Sequence, residues 1–281
     1  MNVQSHTKIN LGLKVLNLRS DNYHNIETFF VEIDFGDKLE IKKINSGCKI
    51  SSNVNWLPLD SSNLCYKAYE QISRFCKKDL GVSIHLEKSV PPGSGLGGGS
   101  SNAAETLKSI NLLYDLKINQ NDLEIIASNI GSDVPFFIRG KIQLGEKTGI
   151  KLTPVDFLIN KKILLIIPKF SINTKWAYAE IKNKLKSHNN IPKFADLKRR
   201  DFLSFKFFEN DFEKIVIPSY PEIGTLKSKL LEFGANFASL SGSGSTVFGI
   251  FDDEAGAKSA ESLFSHRYST FIANPVTHML K

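Results

Sequence analysis

Cysteine is scarce in this chain. The three present among 281 residues, Cys48, Cys65 and Cys76, form no CxxC pair and have no metal-ligand spacing. That argues against a disulfide scaffold, and the odd count favours a reducing compartment. No apolar run reaches the roughly 18 residues needed to span a bilayer. The stretch from Ile163 to Pro168 has only the length of a buried strand. Met1 to His6 lack the basic–apolar–small pattern of an export leader. A cytoplasmic setting with no membrane partner is expected. There is no internal repeat, no low-complexity tract and no lysine-rich arm.

What is present is ordinary for a folded chain: 41% apolar and 23% charged side chains, which excludes disorder and collagen-like repeats. The length suits one large domain or two average ones, with a sizeable core either way. The formal charge is 36 − 29 = +7. It fits an anionic ligand such as a nucleotide or phosphorylated metabolite. It fits equally a solvated lysine surface in a chain rich in Lys, Ile, Asn and Phe. His6, His85, His188, His266 and His278 are scattered and read as structural or surface residues.

Short apolar or alternating runs predict strands over Lys8–Val15, Thr28–Phe35, Lys38–Ile44, Val82–Leu86, Ile163–Ile167 and Thr246–Phe251. Helical spacing predicts helices over Ser62–Phe75, with Ser61 or Ser62 as cap, and over Ser100–Tyr114 and Asn121–Ile130, with Gly131 placed as a C-cap glycine. Further helices are predicted near Trp176–Leu185, Pro221–Gly234 and Ala255–Phe264. A polar, basic stretch runs from Lys186 to Arg200. The fold class is α+β rather than strict βαβ alternation. The pattern breaks between Pro154 and Lys162, which predicts domains over 1–157 and 158–281.

The strongest local signal is Pro91-Pro92-Gly93-Ser94-Gly95-Leu96-Gly97-Gly98-Gly99-Ser100-Ser101, between a strand and a helix. Five glycines in seven positions let the backbone approach a ligand and turn N–H groups toward it. The helix start adds unpaired donors and the positive end of its dipole, so phosphate is the natural ligand. Ser100 and Ser101 add hydroxyls for phosphate or a bound Mg²⁺. The Gly93-x-Gly95-x-x-Gly98 spacing mimics a dinucleotide fingerprint, but Pro91-Pro92 intervene and the first 80 residues are not βα units. No lysine follows the glycines, so it is not a Walker loop. A flexible linker would not lead directly into an amphipathic helix.

With Asn102-Ala103-Ala104, this loop resembles the second motif of the galactokinase–homoserine kinase–mevalonate kinase–phosphomevalonate kinase (GHMP) superfamily. Thr7-Lys8-Ile9-Asn10-Leu11-Gly12-Leu13 and Ser239-Leu240-Ser241-Gly242-Ser243-Gly244-Ser245-Thr246-Val247-Phe248 resemble its first and third motifs, in the right order. Asn22-Tyr23-His24-Asn25-Ile26-Glu27-Thr28 and Gly131-Ser132-Asp133-Val134-Pro135-Phe136-Phe137 narrow the resemblance to one branch. That branch phosphorylates the 2-hydroxyl of 4-diphosphocytidyl-2-C-methyl-D-erythritol in non-mevalonate isoprenoid biosynthesis. The motifs span positions 7 to 248. Asn22 stands where that branch usually has glycine. Asparagine tolerates positive φ best of the other residues, so the turn can survive. Thr7, Ser243 and Ser245 also depart from the usual residues without removing a chemical group.

The resemblance implies a two-domain GHMP kinase fold with the active site in the cleft between domains, ATP as phosphoryl donor and Mg²⁺ arriving with it rather than in a protein cage. It places Asp133 at the substrate hydroxyl and Lys8 beside it, and ATP phosphates on residues 91–101, namely Pro91, Pro92, Gly93, Ser94, Gly95, Leu96, Gly97, Gly98, Gly99, Ser100 and Ser101. It gives Asn10, Tyr23, His24 and Tyr178 to the substrate, the last three around cytosine. Read without it, Lys8 is a strand lysine, Asp133 a turn aspartate, Tyr23-His24 a surface turn and Tyr178 a helix-face tyrosine. Ser241 to Thr246 either shapes the site wall or is a turn that needs glycine. The expected partner is a small molecule, not nucleic acid, and the expected assembly is a monomer or weak homodimer. Another kinase of the superfamily, a non-catalytic nucleotide sensor and a nucleic-acid binder are the rival readings.

Overall fold

A computed structural model of the chain describes residues 1–155, 157, 159–182, 194–197, 205 and 207–276. The chain forms two compact units. The first comprises Met1–Thr7, Gly36–Pro92 and Gly97–Gly140; the second comprises Lys8–Phe35, Gly93–Leu96 and Lys141–Lys281. They are interleaved because two long strands, β1 (Asn2–Leu18) and β2 (His24–Lys43), each run through both. Both strands exceed their expected lengths, and the runs Thr28–Phe35 and Lys38–Ile44 fuse into one. Gly36, at the expected break, is where β1 crosses: a Cβ there would lie 1.6 Å from the Ser5 carbonyl oxygen. It permits a close backbone approach and does not end the strand.

In the first unit, the later half of β2 pairs antiparallel with β4 (Val82–Glu87), and β4 pairs parallel with β3 (Cys48–Ser52). Helices α1 (Leu64–Cys76), α2 (Gly98–Leu113), α3 (Gln120–Ser128) and α4 (Val134–Arg139) pack together, α2 touching the other three. The cap of α1 is Asn63, whose side chain accepts from the Cys65 N–H, rather than Ser61 or Ser62. Ser62 is already committed, since both its N–H and its hydroxyl bond to Asp60 Oδ1. Gly131 is not in the left-handed region. Helix α3 stops at Ser128, and the carbonyls of Ala127 and Ile126 are taken by Ile130 and Asn129. The chain then turns at once into α4, Val134 N–H donating to Gly131 O at 3.2 Å, so no glycine cap is needed.

In the second unit, the earlier half of β2 pairs antiparallel with β5 (Ile142–Lys147), which pairs antiparallel with β6 (Lys151–Pro154). A separate four-stranded antiparallel sheet has the order β10 (Ser269–Ala273), β7 (Lys162–Ile167), β9 (Val247–Phe251), β8 (Phe237–Leu240). Strand β7 is central, which explains its unbroken apolar run. Helices α5 (Thr174–Ile181), α6 (Glu213–Ser219), α7 (Pro221–Glu232) and α8 (Glu254–Phe264) belong to this unit. One core joins Leu13 and Val15 of β1 to Leu164, Phe212, Leu226, Leu230, Phe251 and Phe264. The Lys186–Arg200 stretch, apart from residues 194–197, lies outside the described residues, as do His188 and His278. Among the described residues no helix is long and apolar enough to cross a membrane.

One buried carboxylate fastens the strand that leads to the glycine-rich loop. Asp37 of β2 is fully buried and accepts from the Ser89 and Val90 N–H groups at 2.7 and 2.9 Å, and from the Lys88 ammonium. The Lys88 side chain is itself buried. Removing the carboxylate would leave the buried Lys88 charge and the buried Val90 N–H without their acceptor. Asp37→Ala is expected to lower unfolding free energy by about 3–5 kcal/mol in a urea titration. A loss well under 1 kcal/mol would show that water replaces the carboxylate there.

Candidate active site

The residues singled out by sequence divide between the units. Lys8, Asn10, Tyr23, His24, Gly93–Leu96 and Tyr178 lie in the second; Pro91, Pro92, Gly97–Ser101 and Asp133 lie in the first.

In the second unit, Lys8 and Asn10 sit two residues apart on β1, so both point to one face of the strand. Lys8 is 4% exposed. Its ammonium donates to Asn10 Oδ1 at 2.6 Å and to Gly95 O at 2.9 Å, and lies 5.6 Å from the Phe30 ring centroid. Asn10 in turn donates to Thr28 Oγ1 at 3.0 Å, and that hydroxyl donates to Gly12 O at 2.6 Å. The loop is pinned from the other side as well. Lys8 N–H donates to Leu96 O, Thr246 N–H to Ser94 O, and the Ser241 hydroxyl to Gly95 O at 3.0 Å.

Gly95 has a φ of 78°, and a Cβ there would come within 2.1 Å of Ser241 O. A Cβ on Gly242, at φ 58°, would lie 3.3 Å from Asn10 Oδ1 and 3.6 Å from Lys8 Nζ. The two glycine-rich segments therefore pass each other with no room for a side chain at Gly95 and little at Gly242, at the point where a buried ammonium and a buried amide meet. Ser241 to Thr246 is thus a wall beside Lys8 and Asn10 as well as a turn. Its serines are held too: the Ser245 hydroxyl donates to Phe170 O at 2.6 Å, and the Ser243 and Thr174 hydroxyls are 2.9 Å apart.

The turn before β2 carries the remaining second-unit residues. Asn22 has φ 63°, the left-handed conformation for which asparagine substitutes for glycine. Tyr23 is 66% exposed. His24 is buried and stacks on Tyr178, ring centroids 5.5 Å apart and planes 16° apart. Tyr178 packs edge-on against Phe212 at 4.9 Å, so it is both a core tyrosine and a ring against His24. The buried Nε2 of His24 has no hydrogen-bond partner among the described residues. An orphaned polar atom of this kind is costly unless a ligand or water meets it. Burial, aided by the Lys182 charge, pushes the His24 pKa below its ordinary 6.5, so the imidazole is neutral at pH 7.

In the first unit, α2 starts from Gly97 in the left-handed conformation, with no side chain capping its first turn. Its N-cap residue thus brings no side-chain acceptor to the leading N–H groups, which suits them to phosphate oxygens. The two serines differ. Ser101 is buried, its hydroxyl 2.7 Å from that of Ser5, which also lies 2.7 Å from Asn102 Oδ1. Ser100 is only half-buried. Asp133 is half-buried at the N-cap of α4, and its side chain makes no capping bond to that helix. Among the described residues no three His, Cys, Asp or Glu side chains cluster as metal ligands.

Asp37, Asn210 and Ser5 carry no short-range sequence signal, and Thr28 lies in a motif that gives it no role of its own. Each acts on a partner far along the chain, and only the fold brings them together.

Two family models match the chain: the GHMP kinases N terminal domain over residues 63–141 and the GHMP kinases C terminal domain over 185–269. The fold and the non-Walker glycine loop define the same class, a small-molecule kinase of GHMP type. A 4-diphosphocytidyl-2-C-methyl-D-erythritol kinase of Chlorobium phaeobacteroides (strain BS1) is 38% identical, covering 98% of this chain and 97% of the relative. One of Thermodesulfovibrio yellowstonii is 39% identical over 93% of each. The crystal structure of a 4-(cytidine 5'-diphospho)-2C-methyl-D-erythritol kinase matches with a TM-score of 0.85 and 26% identity, covering 99% of this chain and 100% of that one. This chain belongs to the 4-diphosphocytidyl-2-C-methyl-D-erythritol kinase family, within the GHMP kinases.

Two predictions follow from this geometry. Gly95→Ala forces either the loop or the Ser241 carbonyl to move, so the variant should fold with a lowered melting temperature and lose most of its ATP affinity. Wild-type affinity by calorimetry would show that the close approach is dispensable. The second concerns pH. A histidine whose pKa is lowered by folding stabilises fully above its unfolded value near 6.5, and that contribution is lost as pH falls through the folded value. Wild type should therefore lose stability relative to His24→Phe below about pH 6.5 and not above it. A difference that stays constant down to about pH 4 would mean that His24 is not held neutral.

Proposed function

We propose that the chain transfers the terminal phosphoryl group of ATP to the 2-hydroxyl of 4-diphosphocytidyl-2-C-methyl-D-erythritol, in isoprenoid precursor biosynthesis. The observation that carries this reading is the buried Lys8 ammonium, fixed between Asn10 and the Gly95 carbonyl of the phosphate loop.

Phosphoryl transfer asks the protein for alignment and for positive charge where negative charge develops. Lys8 supplies that charge from a preorganised position, with little reorganisation during the reaction. Asp133 orients the acceptor hydroxyl and receives its proton. Asn10 gives one amide hydrogen to Thr28 and keeps the other for the substrate. The loop from Pro91 to Ser101 receives the ATP phosphates through backbone N–H groups and the start of α2. Mg²⁺ arriving with ATP would neutralise phosphate charge. Ser100 is the hydroxyl suited to it, because that of Ser101 is engaged by Ser5. Neutral His24 offers its unpartnered Nε2 to the edge of cytosine, and Tyr23 and Tyr178 offer ring faces to its plane. The catalytic residues and the ATP loop fall within 1–157, and the second aromatic wall comes from 158–281. Cytoplasmic residence, a monomeric or weakly dimeric state and indifference to nucleic acid complete the proposal.

A coupled ADP-release assay with Mg-ATP tests it, with the cytidylyl substrate, homoserine and mevalonate in parallel. ADP should appear only with the first. Lys8→Ala and Asp133→Asn should each lower kcat by about 100-fold or more while circular dichroism stays native. Near-normal turnover in either variant would remove that residue from catalysis. Activity with another alcohol instead would leave the phosphate loop in place and discard the cytosine site.

A further inference from the structure

Asn210 belongs to none of the motifs that point to kinase chemistry. It is 2% exposed, and the three groups that its side chain bonds belong, like Asn210 itself, to the second unit. Its Nδ2 donates to Leu240 O at 2.7 Å and to Gly242 O at 2.8 Å, while its Oδ1 accepts from the Phe212 N–H at 3.0 Å. Only this orientation of the amide satisfies all three partners.

The backbone on either side of Asn210 is tied to β1. Leu13 N–H donates to Glu209 O at 2.9 Å, Asp211 N–H donates to Leu13 O at 2.8 Å, and Asp211 Oδ2 accepts from the Val15 N–H at 2.8 Å. Residues 209–211 thus run beside β1 as an added parallel rung, with Leu13 opposite Asn210. From that rung the Asn210 side chain reaches across to the turn at Ser241–Gly242. The far side of the turn meets the reacting groups, since Gly242 lies against Asn10 and Lys8, and the Ser241 hydroxyl shares Gly95 O with Lys8.

We propose that Asn210 is a positioning residue for phosphoryl transfer, a cross-member that sets the distance between the strand carrying Lys8 and the glycine turn that confines it. The inference rests on the phosphotransfer reading of Lys8. A lysine side chain is long and flexible, so its acceptors decide where its charge sits. Gly95 O is one acceptor. The Ser241 hydroxyl bonds to that same oxygen, and Ser241 lies between the two carbonyls that Asn210 grips. Strand β8 has a separate anchor, because Glu213 Oε1 accepts from Leu240 N–H at 2.9 Å and from the Ser239 hydroxyl at 2.8 Å. Loss of Asn210 therefore loosens the turn while β8 stays in its sheet.

The test compares Asn210→Ala and Asn210→Asp with wild type and with Glu222→Gln, a reference change at the Tyr268 contact of α7. Asn210→Asp keeps the volume and the Phe212 acceptor but replaces the donors with an anion facing two carbonyls. It is the informative variant should Asn210→Ala fail to fold. Steady-state kinetics use Mg-ATP and the cytidylyl substrate, and calorimetry uses cytidine diphosphate as the probe. The expected result is a fall in kcat of about 100-fold in both Asn210 variants, the cost of a displacement near 1 Å. KM for ATP and the Kd of cytidine diphosphate should be unchanged, and Glu222→Gln should keep wild-type kcat. A folded Asn210→Asp with wild-type kcat, or a loss of kcat no larger than the loss of folded protein, overturns the inference alone. A wild-type enzyme silent with this substrate overturns the kinase reading and the inference with it.

Discussion

An ammonium group taken out of water must be given acceptors in fixed places, and Lys8 imposes that demand on much of the second unit. At 4% exposure its charge needs acceptors, and Asn10 and the Gly95 carbonyl are two of the groups that meet it. Each acceptor needs support in turn. Asn10 leans on Thr28, whose own proton goes to Gly12 O; Gly95 O is shared with Ser241. The glycine at 95 is a consequence of this packing, since a methyl group there would overlap the Ser241 carbonyl, and the glycine at 242 suits its left-handed backbone. Groups tied together in this way have defined places, which suits a reaction whose catalysis is mostly placement.

The first unit solves a complementary problem. Its helix α2 begins on a backbone with no side-chain cap and so leaves donors for an anion. That start must be held from behind. Asp37 fixes the end of β4 through Ser89 and Val90, and Ser5 engages Ser101 and Asn102 within the first turn of α2. The polar interior of this unit thus serves the loop, and its apolar core of α1, α2 and β4 carries the stability.

Several elements were readable because their cause is local. The strand–glycine loop–helix order, the apolar run of β7 and the left-handed turn at Asn22 each depend on neighbours within a few residues. Local reading misled where competition decided. Ser62 would cap α1 but is drawn to Asp60, so Asn63 takes the role. Gly131 would end α3 but is needed one turn later to lead into α4. Gly36 looks like a break but is a crossing point between two strands. The strands β3, β5, β6, β8 and β10 escaped notice because short or mixed runs become strands only when a neighbouring edge receives them.

By itself the sequence determined the class of chemistry. Ordered motifs carry the backbone freedom and the charge that phosphoryl transfer requires, and those are properties of residue type and short spacing. It also determined the α+β character, through apolar periodicity. Tertiary structure alone decided which groups share a bond. That Ser101 spends its hydroxyl on Ser5, that His24 is buried with an unmatched nitrogen, and that Asn210 spans from β1 to a turn 30 residues further along are results of chain crossings. Hydrogen bonds are satisfied by proximity in space, and a linear sequence records proximity only along the chain.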